Sequence, residues 1–191
     1  MLFERNCPVC GRAARFVCER CWSALEPAVG RSVFVYDETA RAIVLTAKNR
    51  GRRDLWRPLG RALAQEVTEP VDVVTWVPAS RSHRRRRGYD QGRLLARSVS
   101  RTLGVPSRSL LRRVGDEPQT GKGRSERLDG PGLRPRTRSV GRILVVDDVR
   151  TTGASLQEAA SVLLSAGAAA VTMASVASVS PPAPATRSDL C

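Results

Sequence analysis

Lysine is almost missing from this chain. Of 32 basic side chains only Lys48 and Lys122 are lysine and the rest are arginine, against 18 acidic ones, for a net charge of +14. A charge of that sign and size implies an anionic partner. It leaves polyphosphates and nucleic acids both open, with a general preference for arginine codons as the duller source. Aromatic residues are scarce too, at 4%, so few platforms exist on which successive bases of an extended strand can stack. Long apolar runs are absent: no stretch reaches the roughly 18 residues of a membrane-spanning helix. Met1-Leu-Phe-Glu-Arg-Asn-Cys7 also lacks the apolar core of a signal peptide. Both observations argue against membrane insertion and place the chain in the cytoplasm. His83 is the only histidine, and with no partner in view it reads as incidental rather than catalytic.

A chain of 191 residues with 41% hydrophobic content suffices for one α/β domain of ordinary size and a small appendage. Cysteine marks the appendage. Cys7-Pro-Val-Cys10-Gly11 and Cys18-Glu-Arg-Cys21 are two Cys-x-x-Cys knuckles with seven residues between them, in a segment too short and polar to build its own core. Two such pairs place four thiolates around a structural Zn²⁺ at about 2.3 Å, with Gly11 permitting the tight turn after the second ligand. A disulfide pair is the competing reading, disfavoured by a reducing compartment. Cys191 stands alone. The organisation expected is a four-cysteine zinc-binding segment over residues 1–28, a main domain over 29–179 and a Pro-containing tail over 180–191.

Within the main domain one stretch is the most informative. Ile143 to Val146 is a continuous apolar β-favouring run, which suits a central parallel strand covered on both faces. It stops at Asp147 and Asp148. Thr151-Thr152-Gly153-Ala154-Ser155 then supplies small residues whose backbone N–H groups can surround an anion where a helix starts, the arrangement of a phosphate cradle. Acids beside a phosphate repel it unless they have another task. A ribose 5-phosphate derivative supplies one, its hydroxyls donating to the two carboxylates directly or through Mg²⁺. The competing reading is an ordinary strand-to-helix turn with a capping acid.

The remaining pattern is alternating strand and helix. A short strand is expected within Gly30–Tyr36, a helix over Thr39–Lys48 closed by Gly51, and a second helix over Asp54–Val67 with Pro58 near its first turn. A buried strand over Val71–Val77 follows, and Ala79-Ser80-Arg81 opens a loop at its C-terminal end, where open α/β sheets bind ligands. That loop continues through Arg84, Arg85, Arg86 and Arg87 to Gly88-Tyr89-Asp90-Gln91. Asp90 suits the cap of a helix that carries Leu94, Leu95, Val99 and Leu103 and stops at Gly104. A further strand is expected over Ser109–Val114. Residues 115–138, polar and aperiodic, read as a mobile loop that is either disordered or a lid. A helix starting near Leu156 and a strand over Ala168–Val179 complete the domain.

Val145-Val-Asp-Asp-Val-Arg-Thr-Thr-Gly-Ala-Ser155 resembles the phosphoribosyl pyrophosphate motif of type I phosphoribosyltransferases. Together with the cysteine pairs, Lys48 followed by Gly51, Val77-Pro78, Arg87-Gly-Tyr-Asp-Gln91, Gln119-Thr-Gly121, Arg124 and Glu126-Arg127, the chain is similar to the ComF family linked with bacterial competence. The resemblance covers nearly the whole chain. It implies a type I phosphoribosyltransferase-like fold, a mainly parallel sheet flanked by helices, with a small N-terminal zinc segment. It also implies that Thr151 to Ser155 hold the 5-phosphate, Asp147 and Asp148 the ribose, and Ala79, Ser80 and Arg81 the pyrophosphate. Candidate anion or nucleic-acid contacts are Lys48, Arg84, Arg85, Arg86, Arg87, Gln91, Arg124 and Arg127. Asp90, Lys122 and Gly130 depart from the family's usual Asn, Leu and Asn. Two functions follow as expectations. One is a phosphoribosyltransferase that uses phosphoribosyl pyrophosphate with Mg²⁺ and an acceptor the sequence does not name. The other is a non-catalytic accessory protein that contacts single-stranded DNA or a helicase-like competence protein during DNA uptake.

Overall fold

The structure, a computed structural model, describes residues 5–114 and 132–179. In chain order its elements are α1 (Glu19–Ser23), β1 (Ser32–Val35), α2 (Glu38–Asn49), α3 (Trp56–Gln65), β2 (Val73–Trp76), α4 (Arg81–Arg87), α5 (Gln91–Leu103), β3 (Leu111–Arg113), β4 (Leu133–Pro135), β5 (Arg142–Arg150), α6 (Ala154–Ser165) and β6 (Ala170–Ser178). A 3-10 turn, Arg53–Leu55, leads into α3. Strands β1, β6, β5 and β2 form a sheet in that order, and every neighbouring pair is parallel. This is the helix-flanked, mainly parallel architecture that the family resemblance implies.

Side-chain alternation along β5 divides the core in two. Leu144 and Val146 pack with the α2, α3 and α5 side chains Ile43, Leu59 and Leu95, whereas Ile143 and Val145 pack with Leu156, Ala159 and Leu163 of α6. A strand covered on both faces has no reason to alternate polar with apolar, which is why these four positions read as one unbroken run. None of them is more than 1% exposed. Burying each is worth roughly 1.5–3 kcal/mol, so this strand anchors whatever its C-terminal end carries.

The helices begin and end where the local chemistry dictates. Asp37 caps α2 by accepting from the Ala40 N–H at 2.7 Å, and the buried face is Ala40, Ile43, Val44 and Ala47. Asp90 caps α5 and Gly104 ends it in the left-handed conformation. Helices α3 and α5 meet at Gly60, where an added Cβ would lie 2.4 Å from the Ser98 Cβ.

Two expectations are corrected. The Arg84–Arg87 run is helical rather than a loop. Ser80 accepts from the His83 N–H, Gly88 closes the helix at φ +73°, and arginine itself is a good helix former. The aperiodic stretch 115–138 is not one loop throughout. Its end contains β4, which pairs antiparallel with β3 as a separate two-stranded sheet, so the strand expected over Ser109–Val114 is shorter and lies outside the main sheet. Leu111 and Leu133 bury against the α6 side of the core, and Glu158 accepts from the Leu133 N–H at 2.6 Å. Arg124, Arg127 and the tail 180–191 lie outside the described residues. Among the described residues no helix is long and apolar enough to cross a membrane.

Candidate functional site

The acid pair sits where β5 outruns its neighbour β2. Pairing between them ends at Trp76 opposite Val146, with Val77 N donating to the Val146 carbonyl at 3.2 Å, while β5 continues through Asp147 and Asp148 to Arg150 alongside β6. The exposed ends of parallel strands are where open α/β sheets place ligands. Because the acids are consecutive in a strand, alternation sends them to opposite faces. Asp148 joins the α2 side, buried, and pairs with Lys48 Nζ at 2.7 Å. Asp147 is on the other side and has no such ion pair among the described residues; its Oδ1 accepts from the Asp148 N–H at 2.8 Å. Burial, and next the Asp148 charge, push the Asp147 carboxyl up to about 8, against the pull of that N–H, Lys48 and Arg113.

Past Arg150 the chain turns through Thr151 and Thr152, both exposed, to Gly153 at φ +83°, and α6 starts at Ala154. No side chain caps this helix. Thr152 Oγ1 does accept from the Ala154 N–H, at 3.3 Å, inside the turn. An uncapped helix start after a left-handed glycine presents N–H groups and the positive end of the helix dipole to an anion. A hollow of about 330 Å³ beside the turn is lined by Arg150, Thr152, Gly153 and Gln157, together with Gly30 and Arg31 from before β1.

The basic candidates separate into groups. A hollow of about 370 Å³ brings Lys48 together with Arg86, Arg87 and Tyr89. Arg81, Arg84 and Arg85 instead line a groove of about 910 Å³ along α5. Ala79 is buried, and Ser80 is committed to capping α4. Gln91 opens α5 with a buried side-chain oxygen that has no hydrogen-bond partner among the described residues. Partial desolvation, followed by the charges of Arg87, Arg86, Lys48 and Arg113, pulls His83 below its ordinary value. Two further residues bear on the site. The Tyr89 hydroxyl donates to the Ala47 carbonyl and lies 3.3 Å from that of Lys48, which fixes the α2 end behind the Lys48–Asp148 pair. Arg113 donates to the Pro78 carbonyl at 2.7 Å and holds the loop after β2. The Gly88-Tyr89 motif flagged the first of these; nothing in the sequence flags the second.

At the other end of the chain, the Sγ atoms of Cys7, Cys10, Cys18 and Cys21 all lie within 4.8 Å of one another, and Cys10 and Cys18 approach to 3.5 Å. Bonds of about 2.3 Å in a tetrahedron set sulfurs about 3.8 Å apart, so the cluster fits a metal such as zinc. Burial raises the Cys7 thiol, but backbone donors at Cys10, Cys18 and Val9 outweigh it and bring the group down to about 6. Burial and the neighbouring thiols push Cys21 up to about 12.

Residues 90–189 match the phosphoribosyl transferase domain family, just over half of the chain. The chain belongs to that family. The matched part of this phosphoribosyl transferase domain contains β5, the acid pair and the glycine turn. Over 180 residues the chain is 29% identical to the competence protein ComFC of Bacillus subtilis strain 168, covering 86% of this chain and 73% of that protein, consistent with the ComF resemblance. Among solved structures it is similar to the allosteric regulatory enzyme of purine biosynthesis, at 25% identity and a TM-score of 0.48 over 63% of this chain. It is also similar to the glutamine phosphoribosylpyrophosphate amidotransferase of B. subtilis, at 22% identity and a TM-score of 0.49 over 69% of this chain. The chain spans 25% and 30% of the lengths of those two proteins.

Proposed function

We propose that this domain binds phosphoribosyl pyrophosphate together with Mg²⁺ at the end of β5 and transfers the phosphoribosyl group to an acceptor. The single observation that supports the reading most is the succession on β5 and α6: a buried strand, two acids, a left-handed glycine and an uncapped helix N-terminus. In this reading the N–H groups of Thr151 to Ser155 hold the 5-phosphate. Asp147 and Asp148 take the ribose hydroxyls, and Ala79, Ser80 and Arg81 stand by the pyrophosphate. A divalent cation fits Asp147, a hard oxygen donor whose proton affinity burial and the Asp148 charge raise and a cation would lower; when bound, the ion would offset charge on the leaving pyrophosphate. Without it the raised carboxyl favours its protonated form near neutral pH, while Oδ1 still accepts from the Asp148 N–H. As ribose gains positive charge in the transition state, the Asp148 carboxylate stabilises it, and Lys48 keeps that carboxylate oriented.

Titration calorimetry with phosphoribosyl pyrophosphate and with ribose 5-phosphate, each with and without Mg²⁺, tests the reading. The Asp147→Asn protein is expected to lose most Mg²⁺-dependent affinity for the first ligand yet still bind the second. Gly153→Val, which forces a β-branched residue to φ +83°, should bind neither. Wild type that binds neither ligand at millimolar concentration rules the site out. A second reading, an accessory protein that contacts single-stranded DNA or a helicase-like partner in competence, is supported by the groove of about 910 Å³. Arg81, Arg84, Arg85, Arg93, Arg97 and Arg136 line it, against the one acid Asp90.

A further inference from the structure

The arginines away from the acid pair are not evenly scattered. Arg57 and Arg61 stand four residues apart on α3, and Arg93, Arg97 and Arg101 stand at four-residue steps on α5. Residues four apart share one face of a helix, so each helix carries a row. The rows meet because the helices pack at a glycine: Gly60 lies between Arg57 and Arg61, and across from it Ser98 Oγ donates to the Arg57 carbonyl at 2.8 Å. A groove of about 730 Å³ results, lined by Arg53, Arg57, Arg61, Arg97 and Arg101 with no acidic side chain among the described residues. These arginines are exposed, and none makes an ion pair among the described residues. Like charges at four-residue spacing destabilise a helix, and two such rows set against each other add to the cost. A codon preference accounts for many arginines; it does not place them in phase on two packed faces with no carboxylate between.

We propose that the α3–α5 face binds the phosphate backbone of a nucleic-acid strand without reading its bases. Four helical residues advance about 6 Å, on the scale of the distance between successive phosphates of a strand, and guanidinium forks match phosphate oxygens bidentately. The one aromatic lining the groove, Trp56, is 1% exposed and offers no stacking surface. Its indole N–H is nevertheless buried without an acceptor among the described residues. With no platform for bases, charge alone carries the contact, so binding is indifferent to sequence and steep in salt. An acidic protein surface fits less well, because protein interfaces centre on apolar or aromatic anchors and the half-buried Leu94 is the only accessible one lining the groove. Leu94 and Arg97 also line the groove beside α4, so the basic track continues across α5. Nothing on this face depends on the phosphoribosyl reading.

The test is fluorescence anisotropy of the full chain with a labelled oligothymidine and an abasic strand of equal length, over a salt series. Arg57, Arg61, Arg97 and Arg101 are replaced together by Ala and, separately, by Lys. The Ala protein should bind at least about tenfold more weakly, with the slope of log affinity against log salt shallower by about 0.7 for each lost phosphate contact. The Lys protein should keep most of the affinity, and the abasic strand should bind within about threefold of oligothymidine, since the contact is to phosphate. Should the Ala protein melt early, Arg101→Glu at the exposed end of α5 carries the same prediction in direction. Phosphoribosyl pyrophosphate binding, followed by calorimetry, should not change in any of them. Undiminished affinity in the Ala protein overturns the proposal, as does failure of the abasic strand to bind. Competition by polyglutamate as effective as that by DNA overturns it too.

Discussion

Asp147 and Asp148 are neighbours of the same type with opposite circumstances, because a strand sends consecutive side chains to opposite faces. Asp148 has Lys48 at 2.7 Å; Asp147 has burial and a like charge. The sign of the consequence follows from linkage. Between the usual value of 3.8 and about 8, the folded protein holds a proton on Asp147 that the unfolded chain has released. Stability from this group is therefore lost as pH rises through that window, and the whole cost is present above it. Asp147→Asn removes the titration while keeping an oxygen for the Asp148 N–H. In metal-free buffer its melting temperature should match wild type near pH 4 and exceed it increasingly towards pH 9. The advantage there should be at least about 1 kcal/mol, since each pH step over which only the folded chain keeps the proton costs about 1.4 kcal/mol. An advantage that is flat with pH would show that Asp147 ionises freely. The acid pair itself is plain in the sequence as an interruption of an apolar run. That its members part company needs only the two-residue period of a strand, but Lys48 as the partner of one alone depends on how α2 packs.

At the scale of elements, legibility follows apolar periodicity. Helices α2 and α5 show a repeating buried face, and β5 shows an unbroken run, so both classes can be read off the chain. Helix α4 has no buried residue at all; its seven residues are helical because Ser80 caps one end and Gly88 turns the other, and a run of arginines carries no period to reveal that. Strands β3 and β4 are three residues each, too short for alternation to register. The rows on α3 and α5 are visible as numbers in the sequence, yet only the Gly60–Ser98 contact makes them one surface. Asp90 shows how a departure from a family pattern acquires a local reason. It caps α5 at the Arg93 N–H and accepts from the Trp76 indole at 3.2 Å, tying the helix to the end of β2. Asp90→Ala should therefore cost about 1–2 kcal/mol in urea unfolding, whereas Asp90→Asn, whose single oxygen can keep the cap but leaves an amide N–H facing the Trp76 indole N–H, should cost less, about 0.5–1 kcal/mol. Equal losses in the two proteins would mean that the cap contributes nothing and the indole bond carries the effect.

Across the whole molecule, the cysteine segment is joined to the sheet domain by apolar packing of Val9, Phe16, Val17, Trp22 and Leu25 on the core and by specific polar contacts. The Arg52 guanidinium donates to the carbonyls of Asn6 and Arg15, at 2.9 Å each, and Asp54 is paired with both Arg52 and Arg5. Burial raises the Asp54 carboxyl, but these two arginines outweigh it and hold it below its ordinary value. Trp22, next to the last cysteine of the segment, packs edge-on against Phe34 of β1 with ring centroids 5.5 Å apart. Arg52 follows directly on the α2 end that carries Lys48, so the segment braces the part of the domain that orients Asp148. Val9, Phe16, Val17, Trp22 and Leu25 supply part of the order of residues 5–25, and metal at the four thiols is expected to supply the rest. Elemental analysis should find about one zinc per chain in protein purified under reducing conditions. A ligand bound to the folded state alone stabilises by about 4 kcal/mol at roughly a thousandfold excess over its dissociation constant, so a strong chelator should lower the melting temperature and redshift the Trp22 emission as it leaves Phe34. Cys10→Ser should melt like the chelated wild type, with no response to added zinc. If chelation and the substitution both leave the melting temperature unchanged, the hydrogen bonds of Arg52 and the Trp22–Phe34 contact order the segment on their own, and the four sulfurs are close for want of space rather than for a metal.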